Sequence, residues 1–199
     1  MKKLLLIAVL IAACLSATAY VACVAAPLLG KNIKGSGKIV TKTVPAPDFD
    51  GIEASRAVKV VISDKVSDIR IEADDNLIDL VVVRAVKGKL EATLDQKVNN
   101  IQNGNVTITV PANGKIRSLD ASSASKIILE GSAGTFRADM SSASKLNAEK
   151  FSAVNASIDT SSAASASIDC SGKLTASASS GSSVRYSGDC RTSLEKSSG

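Results

Sequence analysis

The chain has 199 residues and a formal net charge of +5; 45% of its residues are hydrophobic and 22% charged, but only 3% are aromatic. That is a globular composition made of small side chains, long enough for one domain or two, and neither disordered nor collagenous. The chain contains no His, which excludes Ser-His-Asp and Cys-His nucleophile systems as well as histidine-bound zinc, copper or haem iron.

The N-terminus reads as an address. Lys2 and Lys3 give a positive start, no charged residue follows from Leu4 to Leu29, and a leucine-rich run passes into Ala-rich cleavage territory at Ala17-Thr18-Ala19 or Val24-Ala25-Ala26. This is the layout of a secretory signal over residues 1–26, followed by a linker over 27–37. The uncharged stretch is also long enough for an uncleaved membrane anchor. A third reading is lipid attachment, at Cys14 after Ile11-Ala12-Ala13 or, in a poorer match, at Cys23 after Tyr20-Val21-Ala22; the residues after each Cys stay apolar rather than forming a polar tether. All three readings place the folded part outside the cytoplasm and confine membrane contact to this segment. Lys and Arg are spread along the chain without aromatic interleaving, so a nucleic-acid partner is not expected.

From Gly35 to Pro111 the sequence predicts strands joined by turns. Residues 38–44 are β-rich and stop at Pro45 and Pro47, while 58–62, 68–72 and 106–110 alternate or run apolar at strand length. Asp74-Asp75-Asn76 and Asn103-Gly104-Asn105 read as turns; the first lacks the spaced ligands of a calcium loop. Residues 77–86 fit helical spacing at Leu77, Leu80, Val81 and Arg84, but the β-branched run Val81-Val82-Val83 favours a strand.

From about Ser118 the chain repeats itself. Asp120-Ala121-Ser122-Ser123-Ala124-Ser125 returns as Asp139-Met140-Ser141-Ser142-Ala143-Ser144, then from Asp159, Ser177 and Glu195, at intervals of 19, 20, 18 and 18 residues, with an earlier echo at Glu53-Ala54-Ser55-Arg56-Ala57. A fixed period with one or two Leu per repeat argues against helical and leucine-rich solenoids. The spacing predicts an all-β, right-handed parallel β-helix with rungs of about 18–20 residues, as a single domain over 38–199. Each rung is expected as two short strands, such as 127–131 and 136–140, around a Ser-rich corner that caps its own backbone groups. Apolar positions recurring in phase, at Leu119, Phe136, Leu146, Ile158, Ile168, Leu174 and Val184, argue against a disordered Ser-rich stalk.

Stacking suggests candidate sites. Cys170 and Cys190 lie about one rung apart, which would bring their Cα atoms to ~5 Å and allow a disulfide in an oxidising compartment. Asp120, Asp139 and Asp159 should form a column on one face, able to meet a glycan's hydroxyl groups or collect calcium, although Lys126 and Lys145 repeat beside it and the fourth repeat places Ser177 there; a solvated ladder is the plainer reading. The Ser-Ala-Ser-Lys runs at 123–126 and 142–145 are repeat corners rather than Ser-Lys nucleophile pairs. No catalytic, cofactor or metal residues are expected.

Gly35-Ser36-Gly37-Lys38-Ile39-Val40, Phe49-Asp50-Gly51-Ile52-Glu53-Ala54-Ser55, the strand at 58–62 and Ile71-Glu72-Ala73-Asp74-Asp75-Asn76-Leu77 resemble the bacterial family of the putative auto-transporter adhesin, head GIN domain. The Leu-x-x-Ser-x-Ala-x blocks match its repeats, and the likeness covers residues 35–199. Ser123, Ser125, Ser142 and Ser144 stand where that family favours Gly. The resemblance implies a bacterial envelope or surface protein of right-handed β-helical fold with no catalytic residues to transfer. Together these readings predict an exported, non-catalytic, adhesin-like binding protein for an envelope or surface glycan or protein, in the periplasm, outer membrane or cell surface. The alternatives are a polysaccharide-lyase-like enzyme, for which Arg137 beside Asp139 is the local hint, and a structural spacer.

Overall fold

A computed structural model describes residues 30–197; the signal, anchor and lipid-attachment readings at 1–26, with Cys14 and Cys23, lie outside the described residues. The chain forms β1 (Lys31–Lys34), β2 (Ile39–Val44), β3 (Gly51–Ala54), β4 (Lys59–Ser63), β5 (Ile69–Asp74), β6 (Val81–Val86), β7 (Lys89–Leu94), β8 (Val98–Gln102), β9 (Val106–Pro111) and β10 (Ser118–Ala121). Three long strands follow, β11 (Lys126–Met140), β12 (Lys145–Thr160) and β13 (Ser165–Ser179), and then β14 (Ser183–Ser187) and β15 (Arg191–Ser197). The segment 77–86 resolves into a single 3-10 turn, Ile78–Leu80, ahead of β6.

The expectation of a right-handed parallel β-helix is overturned. The strands form a curled half-barrel of mixed direction: β2 runs antiparallel to β5, β5 to β9 and β6 to β7, whereas β3, β4 and β10 to β15 pair in parallel. Two physical features account for the difference. Lys87 and Gly88 both have positive φ, at 51° and 81°, and form the two-residue turn that folds β6 back on β7. The anticipated corner between 131 and 136 does not exist either, because β11 runs unbroken through Gly131 and Gly134 for 15 residues.

Parallel register is kept at the predicted interval within this mixed sheet. Asp120 pairs with Asp139, Asp139 with Asp159 and Asp159 with Ser177. Beside them the inward column Leu90, Ile52, Leu119, Ala138, Ile158 and Ala176 is buried throughout, as alternation on a half-solvated sheet requires. Phe136 and Phe151 supply the bulk, their rings 4.9 Å apart and tilted by 57°. Among the described residues every buried side-chain polar atom has a hydrogen-bond partner.

The motifs near the start of the fold clasp one another. The buried carboxylate of Asp74 accepts from the Gly37 and Asn105 backbone N–H groups at 2.6 and 2.7 Å. Ser36 donates its hydroxyl to Asp75 at 2.6 Å and its N–H to Asn76, and Asn76 donates in turn to the Lys34 carbonyl. Gly35 leaves no room for a side chain, since a Cβ there would sit 2.7 Å from Asp74 Oδ2. The Gly-Ser-Gly and Asp-Asp-Asn motifs are therefore the two halves of one lock.

Candidate functional site

The Ser-rich blocks form the corners, and their geometry sets what stands beside them. Each closes with an i to i+3 bond, Ser125 N–H to Ser122 O and Ser144 N–H to Ser141 O, around two residues of positive φ. These are Ser123 and Ala124, Ser142 and Ala143, Ser162 and Ala163, Ser180 and Gly181, with Arg56 and Ala57 as the first of the series. The left-handed angles that the Ser-for-Gly exchange should discourage are adopted at Ser123 and Ser142 all the same. Ser125 and Ser144 instead point inward and donate to Ala54 O and Ala121 O of the preceding corner at 3.1 and 3.0 Å. Corner on corner, Ala124 N–H reaches Ser142 O, Ala143 N–H reaches Ser162 O and Ala163 N–H reaches Ser180 O.

Immediately before each corner stands the acidic column. Asp120, Asp139 and Asp159 are brought together as expected, and the register extends the column to Glu53 and Glu91 on one side and to Ser177 and Glu195 on the other. Neighbouring members sit about 4.8 Å apart across strands. With Ser122, Ser141 and Ser161, the four carboxylates from Glu53 to Asp159 line an open groove of about 430 Å³.

Two cations hold the column, and neither is Lys126 or Lys145. Those two align with each other and with Lys59 in a separate basic column. The actual counter-ions occupy one further column two residues before the acids: Lys89, Gly51, Ser118, Arg137, Ser157. Arg137 grips Asp139 through Nε and Nη2 at 3.0 and 2.9 Å and reaches Asp159 at 3.0 Å. Lys89 ion-pairs with Asp120. It gets there by leaning across Gly51, where a Cβ would collide with Ser118 Oγ and lie 2.9 Å from Lys89 Cγ. Small residues in the cation column are thus what let two long side chains lie over the acids.

These pairs fix protonation. The hydrogen bond to Asp139 and that carboxylate's charge hold the Arg137 guanidinium above its ordinary range, and the hydrogen bond to Asp120 does the same for Lys89 against the opposing effect of burial. Among the described residues no group of three or more Cys, Asp or Glu is arranged to hold a metal ion, the cations occupying the space between the carboxylates. The face can offer carboxylate and hydroxyl acceptors, hydroxyl donors and two fixed cations in a repeating row, which is the chemistry of hydrogen bonding.

Cys170 is buried in β13 and Cys190 is half-buried just before β15; both are free thiols, and the Cys170 thiol lies 3.4 Å from the Val154 and Lys173 carbonyl oxygens with Cys190 beside it. Burial first, then the neighbouring Cys170, push the Cys190 thiol above its ordinary value. Repeat spacing alone brought Asp120, Asp139, Asp159 and the cysteine pair into view. It marked Glu53 as an echo of the repeat without placing it in the column, and it missed Lys89, whose role depends on Gly51.

Two overlapping passages, residues 48–123 and 112–190, match the family model described as "Putative auto-transporter adhesin, head GIN domain". Among curated proteins no sequence matches. Solved structures similar to this chain include a "putative adhesin" from Bacteroides fragilis, at 18% identity over 83% of this chain and 96% of that one, with a TM-score of 0.45. A "putative adhesin" from Parabacteroides merdae matches at 15% identity over 85% and 97%, with a TM-score of 0.40. A "putative lipid binding protein" from Parabacteroides distasonis matches at 14% identity over 84% and 97%, with a TM-score of 0.41.

Proposed function

We propose, on the premise that this chain belongs to the family of the putative auto-transporter adhesin, head GIN domain, that it is an exported, non-catalytic binding protein of the bacterial envelope or surface. Its ligand face is the groove beside the corners, and its ligand is a surface glycan or a protein that presents hydroxyl groups or cations at strand spacing. The observation that carries this reading is the unbroken register of Glu53, Asp120, Asp139 and Asp159 along one open groove. A repeating row of acceptors suits a repeating polymer, and rigid strands preorganise it at little entropic cost. Residues 1–26 act as the export signal, with Cys14 or Cys23 as the attachment point if the segment is processed as a lipoprotein; Lys31–Lys34 of the expected linker instead form β1 on β8 and belong to the fold.

A lyase reading has less support. A lyase on this face would need a deprotonated base beside an acid–metal cluster, whereas Arg137 and Lys89 are both held protonated by the carboxylates that would bind the metal.

The test is retention of the full chain on a panel of envelope glycans and envelope proteins, with and without calcium. Selective retention is expected, reduced roughly tenfold or more in an Asp139→Asn/Asp159→Asn double variant, as for loss of two charge-assisted contacts. Absence of selective retention would favour a spacer, and calcium-dependent release of polysaccharide fragments would favour an enzyme; either result would overturn the proposal.

A further inference from the structure

The end of the sheet at β14 and β15 leaves apolar inward columns uncovered. Each of these strands is hydrogen-bonded along one edge only, to β13, and among the described residues the other edge is bare. The inward columns arrive there uncovered. Ala176 is 5% exposed, but Leu194, its neighbour in the same column, is 57% exposed; Ile168 is 1% exposed and Tyr186, next in its column, 45%. Between the two strands lies a groove of about 230 Å³ lined by Ala176, Ala178, Val184 and Leu194, with Glu195 and Lys196 at its rim. A bare strand edge beside an open apolar groove is a template for a further strand.

The sequence of β15 indicates which strand. Arg191 and Glu195 stand on its outer face, four residues apart, with Ser193 midway, while Thr192 and Leu194 stand on its inner face. If a second β15 lies antiparallel about a two-fold axis at Ser193, Arg191 of each copy falls opposite Glu195 of the other, and Leu194 of each falls opposite Thr192. Glu195 is the only acid in the strand, so no other two-fold register pairs it with Arg191. One arrangement therefore completes the strand edge, places two opposite-charge pairs on the outer face and covers Leu194 on the inner face, as an isologous contact requires.

We infer that two copies of this chain associate end to end through antiparallel pairing of β15 with β15, independently of the ligand reading of the groove above. The test is sedimentation equilibrium of the full chain in density-matched detergent over a range of concentrations. A dimer is expected. Glu195→Arg, which sets like charges opposite each other twice, should raise the dimer dissociation constant roughly tenfold or more. The swap Arg191→Glu/Glu195→Arg should restore it, which a misfolded variant could not do. A chain that is monomeric throughout, a dimer indifferent to Glu195→Arg, or a swap that fails to restore association would each overturn the inference.

Discussion

Left-handed backbone at Ala124, Ala143 and Ala163 costs an L-residue roughly 1–2 kcal/mol, and Gly181 shows that the same corner position accepts glycine. The three alanines are exposed, so their methyl groups contribute little packing to offset that cost. Ala143→Gly should stabilise the fold by about 1 kcal/mol, and the triple change by about 3, corresponding to a rise in Tm of roughly 2–4 °C per site. Thermal unfolding of the variants reads this directly; a fall in Tm would show that the dihedral is not the limiting feature. Serine persists beside these alanines for a different reason. The buried hydroxyls of Ser125 and Ser144 bond the carbonyl of the corner beneath, whereas Ala164 fills the equivalent position without that bond, its corner still closing through backbone N–H groups.

At the level of elements, the clasp between residues 35–37 and 74–76 anchors β2 against β5. The hydroxyl of Ser36, with the charge of Lys38, holds the Asp75 carboxyl below its ordinary value of 3.8. A carboxyl depressed in the folded state stabilises above its ordinary value and loses that contribution as the pH falls through its folded one. The Tm difference between the unmodified chain and Asp75→Asn should therefore stay constant from about pH 7 to 5 and shrink below about pH 4. A difference that widens on acidification would refute the assignment. Which stretches become strands was legible beforehand at β2, β4, β5 and β9, because alternation marks a half-buried strand. Their direction was not, because a period of two is the same in parallel and antiparallel pairing. The Lys87-Gly88 reversal and the unbroken run of β11 are the local facts that turned an expected β-helix into a curled mixed sheet. The site was legible where the repeat is regular, at Asp120, Asp139 and Asp159. Of its counter-ions, Arg137 stood in view beside Asp139, whereas Lys89 could not be anticipated, because it reaches the column from a strand outside the repeat and only where Gly51 yields space.

For the molecule as a whole, an exported location predicts that the contact between Cys170 and Cys190 becomes covalent. Loss of two electrons and two protons to a disulfide donor would close a loop of about twenty residues, worth about 3 kcal/mol by loop-closure reasoning. The chain recovered from the envelope should lack free thiol at both positions and lose roughly 6–12 °C of Tm on reduction. The Cys190→Ser variant should start lower and ignore the reductant. A reductant-insensitive unmodified chain would sink this prediction.

Repeats of 19, 20 and 18 residues nonetheless deliver their acids in line, and the pairing of β12 with its neighbours explains how. Glu149, Lys150 and Phe151 face no residue of β13, while Ser171 and Gly172 together face only Val154. The mismatch with β11 is likewise confined to the stretch between Ile128 and Glu130. From Asn155 onward, one-to-one pairing is restored up to the corner. Slack is thus collected in the first half of each long strand and kept away from the second. Gaining or losing a residue near 149–152 would be absorbed on that side, leaving the acidic face free to diversify by side-chain exchange while the chain beneath it drifts in length.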